Sequence, residues 1–235
     1  MRRTAVQDST RRGAVADTRI TADITPPELR AECIAASVRE GWVRDTQLDP
    51  SEITDWPARQ ARAVVPFEVV DGRPVNPAGP TGRIGRDLGA WGENAAADAL
   101  VTAGAGADRQ VLLIRRGDAG QWAIPGGMTD AGEHAEQAMR RELTEETGLN
   151  LTGVPVEVLW SGVVDDPRNT DWAWISSTLG RFELAEPAEV TGEDDATDAR
   201  WWPYVDLDAL HAALTAAGEQ LYLAHEPLLA LAANT

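Results

Sequence analysis

The chain has 235 residues, room for a standard domain and a smaller partner, and its 43% hydrophobic content is enough for a sizeable core. Its 38 acids against 21 basic residues give a formal charge of -17, which repels a phosphate polymer and argues against nucleic acid as a partner. No apolar run approaches the roughly 20 residues that span a bilayer, so the sequence predicts a cytoplasmic protein without a membrane partner. Whether it is a monomer or a homodimer stays open.

Residues 1–25 carry arginines but no continuous apolar stretch and read as a polar tail. Residues 26–43 have helical spacing with proline near the start. Cys33 is the only cysteine, which rules out an internal disulfide and a Cys-based zinc site and leaves a buried thiol. Residues 61–74 read as a strand running into a turn, 76–94 as a glycine-rich segment, and 102–108 as a hinge. These divide the chain into 1–103, an N-terminal extension and small domain, and 104–235, a second unit.

In the second unit, residues 111–116, 122–125, 154–164 and 172–184 read as strands, with 199–204 as a further short one. Residues 126–151 read as loop plus helix, and 207–220 and 222–234 close the chain as helices. Strands interleaved with helices predict an α/β class (α+β mixed) with a mixed sheet covered on both faces. Trp56 and Trp91 are expected to fasten the small unit to the larger one. His134, His211 and His225 are scattered without metal-ligand spacing and receive no role.

The chemistry concentrates in "GGMTDAGEHAEQAMRRELTEETGLNL", residues 126–151. On a helical wheel Glu142, Glu145 and Glu146 fall within an arc of about 100°, on the side of Ala135, Ala138, Met139 and Leu143. Gln137, Arg140, Arg141, Thr144 and Thr147 lie opposite. Like charges three and four apart repel, and carboxylates bordering a core-facing stripe need cations beside them. Oxygen ligands gathered in this way suit a hard divalent ion, Mg2+ or Mn2+. Every basic residue is arginine, so any phosphate is held by Arg, backbone N–H groups or metal.

Gly127, five residues, Glu133, seven residues and "RELTEETGL" match GX5EX7REUXEEXGU over 23 residues. The chain thereby resembles the Nudix hydrolases. The resemblance implies a Nudix fold, an α/β/α sandwich preceded here by a small N-terminal domain, with 104–235 as the catalytic domain. It implies Glu142, Glu145 and Glu146 as metal ligands and catalytic groups, with Glu133 and the Gly127 carbonyl as accessory ligands. Arg141 would orient a glutamate by ion pairing.

Residues 71–98, 122–128, 164–174 and 192–196 are similar to the ADP-ribose pyrophosphatase branch, also found as the ligand domain of an ADP-ribose-gated cation channel. The resemblance implies a small nucleoside diphosphate substrate. In "DDPRNTD" Arg168 can clamp a phosphate in bidentate fashion, and Asp166, Asn169 and Asp171 can reach ribose hydroxyls; a tight turn is the other reading of the same residues. Thr81 and Arg86 of the glycine-rich segment are candidate diphosphate contacts, or parts of a packed interdomain loop. Trp172 stands where the branch has Asn, offering an indole face to a base or filling the core. A catalytic base is expected in "GEDD", at Asp194 or Asp195. The expected reaction is Mg2+-dependent hydrolysis of ADP-ribose to AMP and ribose 5-phosphate. The alternatives are another nucleoside diphosphate compound, or a catalytically silent ADP-ribose sensor.

Overall fold

The computed structural model describes residues 21–30 and 34–233; the first 20 residues of the expected tail and Cys33 lie outside them. In chain order the elements are β1 (Ala22–Asp23), α1 (Ile34–Arg39), α2 (Trp56–Arg62), β2 (Glu68–Val70), β3 (Arg73–Val75), β4 (Arg83–Ile84), β5 (Gly92–Ala103), β6 (Gln110–Arg116), β7 (Trp122–Ala123), β8 (Gly126–Met128), α3 (Ala135–Thr147), β9 (Glu157–Val163), β10 (Ala173–Leu184), β11 (Ala196–Pro203), α4 (Leu207–Ala216) and α5 (Glu226–Ala233). The helix expected over 26–43 is shorter among the described residues, a 3-10 turn at Pro27–Leu29 and then α1. The expected turn after Val70 is a β2–β3 hairpin whose two loop residues, Asp71 and Gly72, have φ of 51° and 77°. Positive φ at both positions is what a two-residue hairpin loop requires.

Seven strands form one mixed sheet in the order β11-β6-β5-β10-β9, with β7 on β6 and β8 on β5. β5 and β10 run parallel from Gly92↔Ala173 to Ala103↔Leu184, and the other pairs are antiparallel. Alternation along β6 sends Val111 and Leu113 to one face and Leu112 and Ile114 to the other. On the first face they pack with Leu210 and Leu214 of α4 and Leu228, Leu229 and Ala232 of α5. On the second they pack with Ala138, Met139 and Leu143 of α3. The fold is therefore a helix/sheet/helix sandwich.

One expectation fails. Residues 102–108 are not a hinge but the tight connection between β5 and β6, which pair at Thr102↔Val111 and Ala103↔Gln110. β5 starts at Gly92, so the sheet begins before the boundary expected at 103/104. A third cluster joins Ile53, Trp56, Phe67, Leu88 and Trp91 to Ala173, Trp174 and Ile175 of β10. Residues 53–91 are thus packed onto the sheet at the start of its parallel pair.

Candidate active site

Helix α3 is stopped by Gly148 at φ 68°, whose N–H donates to the Thr144 carbonyl at 2.9 Å. With Ala138, Met139 and Leu143 buried, the helix sets Glu146 inward, Glu142 half-buried and Glu145 exposed. Thr147, placed on the outer side by the wheel, is buried: the chain after β10 covers the end of the helix, and Thr191 N–H donates to the Thr147 carbonyl at 3.1 Å.

Strand β8 supplies the facing backbone. Gly126 N–H donates to Glu146 Oε2 at 2.9 Å. The Glu142 carboxylate lies so close to Gly127 that a Cβ there would stand 2.4 Å from Glu142 Oε1. Arg141 is the hub of the acidic cluster. Its Nε and Nη2 grip both oxygens of Glu133 at 3.0 and 2.9 Å, and Nη1 reaches Glu142 Oε1 at 2.9 Å and Glu145 Oε2 at 3.0 Å. The ion pair expected of Arg141 is thus made to three glutamates at once, which offsets their repulsion.

The titrations follow from this arrangement. Arg141 holds the Glu133 carboxyl below its ordinary range. Burial pushes Glu142 up. Burial pushes Glu146 up to about 8, with the charges of Glu142 and Asp195 adding to it and the Gly126 N–H and Arg116 opposing. Two desolvated carboxylates side by side are a donor set that a hard cation would stabilise. Among the described residues no three acids or histidines already stand together as a metal site, because Arg141 draws Glu133, Glu142 and Glu145 to itself.

Glu142, Glu146 and Gly127 line a cavity of about 540 Å³. Asp165, Asp166 and Arg168 line it too, as do Asp194 and Asp195. Arg168 Nε and Nη2 grip Asp166 Oδ1 and Oδ2 at 2.9 and 2.8 Å, and Arg168 N–H also donates to Oδ1, so turn and cavity wall are the same residues. This pairing holds Asp166 below its ordinary range despite burial. Asp194 has φ 52°, and the loop is anchored by Glu193 N–H donating to the Glu146 carbonyl at 3.0 Å.

The remaining expected site residues lie outside the cavity lining. Asn169 is buried, its amide donating to the Val164 carbonyl and its Oδ1 accepting from Ile175 N–H. Asp171 Oδ1 accepts from both the N–H and the hydroxyl of Thr81, pinning the glycine-rich segment to the turn before β10. Trp172 packs edge-on to Trp91, with the Arg73 guanidinium over its ring. Arg86 is buried over the Trp91 ring. Glu133 and Glu145 sit behind the lining, on Arg141.

The cavity also brings in residues to which spacing gives no clue. Asp98 of β5 accepts a short hydrogen bond from the Ser177 hydroxyl, and His225 Nε2 stands 3.8 Å from its other oxygen. Ile124 N–H donates to His225 Nδ1 at 3.1 Å, which places the ring proton on Nε2, toward Asp98. Burial holds His225 below its ordinary pKa. Tyr222 packs edge-on to His225 and carries the Arg116 guanidinium 4.8 Å from its ring centre.

Residues 92–224 match the NUDIX domain family model. The chain is 40% identical over 160 residues to putative nudix hydrolase 6 of Caenorhabditis elegans, covering 62% of each protein. It is 34% identical over 183 residues to the mitochondrial ADP-ribose pyrophosphatase of Rattus norvegicus, covering 62% of this chain and 52% of that one. Among solved structures it is similar to the NUDIX domain of Shewanella oneidensis NrtR complexed with ADP ribose, at 22% identity and a TM-score of 0.48 over 61% of this chain and 88% of the other. The match therefore spans about three fifths and half of the length of the two curated relatives. With the family model covering more than half of its residues, the chain belongs to the Nudix family.

Proposed function

We propose that this protein hydrolyses the diphosphate of ADP-ribose to AMP and ribose 5-phosphate with Mg2+, or Mn2+ in its place, in the cytoplasm. The observation that carries the reading is the cavity itself, which sets the half-buried Glu142, the buried Glu146 and the Arg168–Asp166 pair around one space of about 540 Å³. That volume lies in the ordinary range for a small-molecule site. The rat relative named ADP-ribose pyrophosphatase and the complete REXXEE acids support a catalytic rather than a silent site.

Glu142 and Glu146 would hold the metal, joined by Glu145 once it leaves Arg141, with the Gly127 carbonyl beside them and Glu133 keeping Arg141 in place. The ion supplies charge against the diphosphate oxygens and lowers the pKa of the attacking water. Arg168 exchanges one arm of its Asp166 contact for a phosphate oxygen, and Asp166 faces the ribose. Asp194 or Asp195 accepts the proton of the water as its oxygen attacks one phosphorus and the bridging P–O bond breaks. Asn169, Asp171, Trp172 and Thr81 serve this wall from behind, whereas Arg86 faces a different cavity.

The test is Mg2+-dependent turnover of ADP-ribose, ADP-glucose, UDP-glucose, NADH and diadenosine polyphosphates. The highest kcat/KM, with release of AMP, is expected for ADP-ribose. A nucleotide sugar in first place would overturn the substrate, and binding without turnover of any compound would overturn the activity.

A further inference from the structure

Arg86 is 1% exposed, yet its Nε and Nη1 have no hydrogen-bond partner among the described residues. Its guanidinium lies 5.1 Å from the centre of the Trp91 ring. The nearest acid acting on it is Asp45, but both Asp45 oxygens are taken by Arg59 at 2.7 and 2.8 Å. Arg44 is served by Asp130 as well as Asp45, and Arg59 by Asp55 at 2.8 Å, which leaves Arg86 as the arginine of this group with only the occupied Asp45 as an acid acting on it. A buried guanidinium with unfilled donors is unfavourable until an anion completes it.

There is room for one. Arg86 and Trp91 line a cavity of about 240 Å³ together with Thr25, Arg30, Gln47 and Leu48. Arg30 donates Nε and Nη2 to the Thr25 carbonyl, which fixes its guanidinium at this cavity. The one carboxylate in the lining, Asp23, is turned to Thr25 N–H at 2.9 Å, which holds its pKa down. This lining shares no residue with that of the catalytic cavity.

We propose that this cavity is a second anion site, which takes a phosphate group, free or borne on a small ligand, between Arg86 and Arg30. Bidentate guanidinium geometry suits the oxyanion, and a cavity of about 240 Å³ has room for a phosphate group. Occupancy ties the segment before α1 to the glycine-rich segment. The site is independent of the reaction proposed above.

Thermal unfolding of the metal-free protein in phosphate-free buffer tests it, with inorganic phosphate and ribose 5-phosphate as probes. Phosphate is expected to raise Tm by several degrees with millimolar saturation, and to do so equally in Arg168→Ala, which weakens the catalytic cavity. Gln47→Glu, which sets a carboxylate in the lining, is expected to raise Tm without phosphate and to abolish the phosphate shift. Arg86→Met should abolish it too, and Arg30→Gln should weaken it at least fivefold if Arg86→Met fails to fold. Saturation by ribose 5-phosphate at lower concentration than by phosphate would assign the site to a ligand-borne group, and equal saturation to the free ion. No shift, a shift lost in Arg168→Ala, or one that survives Gln47→Glu would overturn the site.

Discussion

Arg168 occupies a turn and a cavity wall at once, so its turn geometry does not decide between the two readings its sequence context leaves open. The turn is formed, since Asn169 N–H donates to the Asp166 carbonyl at 3.0 Å, and the arginine nonetheless lines the cavity. If the proposed clamp is right, Arg168→Ala loses a charge-assisted contact to the substrate, and kcat/KM with ADP-ribose should fall roughly 30- to 1000-fold, about 2–4 kcal/mol. It also strips Asp166 of the partner that keeps its pKa low. A depressed carboxyl contributes stability above its unfolded pKa that is lost as pH falls through the folded one. The variant should therefore have a lower Tm than wild type at pH 7 and a smaller loss on acidification. Unchanged kinetics would remove Arg168 from the site. At this scale the box acids were legible because their spacing is that of one helix. Tyr222 and His225 of the turn before α5, Asp98 of β5 and Ser177 of β10 were not, because they come from three distant parts of the chain and meet only in the fold.

Helix α3 was readable for the same reason that its acids were: a 3.6-residue period with a glycine stop. Strand β5 was not. Its "NAAADALVTA" is alanine-rich, with low β-propensity and no polar alternation, because it runs between β6 and β10 with both faces covered. Ala97 and Ala99 are fully buried in the cluster that includes Ala138 and Met139, and small side chains there let the helix approach the sheet. The same close approach governs β8, where Gly127 leaves space for the Glu142 carboxylate. Gly127→Ala requires no forbidden backbone angle, since Gly127 is not among the positive-φ glycines. The added methyl instead pushes a flexible carboxylate aside. Turnover should drop at least tenfold while far-UV circular dichroism is unchanged and Tm moves by no more than a few degrees. Activity within twofold of wild type would mean that the position of Glu142 does not matter to the reaction.

For the whole molecule the acid excess has a consequence that only the fold makes visible, because a net charge of -17 does not say which carboxylates are buried. Glu146 is 5% exposed, and its pKa rises from an ordinary 4.5 to about 8, with Glu142 displaced in the same direction. Below pH 4.5 the group is neutral in both folded and unfolded chains, and its full contribution to stability is present. Between 4.5 and 8 the unfolded chain has lost the proton while the folded one keeps it, so stability falls as pH rises until the folded group also ionises. His225 acts oppositely, since its folded pKa is lowered: its contribution grows as pH rises and is complete above the unfolded value of 6.5. The paired carboxyls Glu133 and Asp166 have finished titrating well below this window. From pH 6.5 to 8, then, the metal-free protein should lose Tm through Glu146, and Glu146→Gln should flatten the slope. At the proposed metal site Mg2+ would compete with that proton, so the Tm gained from saturating Mg2+ should be larger at pH 8 than at pH 6.5, and most of it should disappear in Glu146→Gln together with at least a hundredfold of turnover. A Mg2+ gain that is independent of pH and survives Glu146→Gln would place the ion elsewhere than on α3.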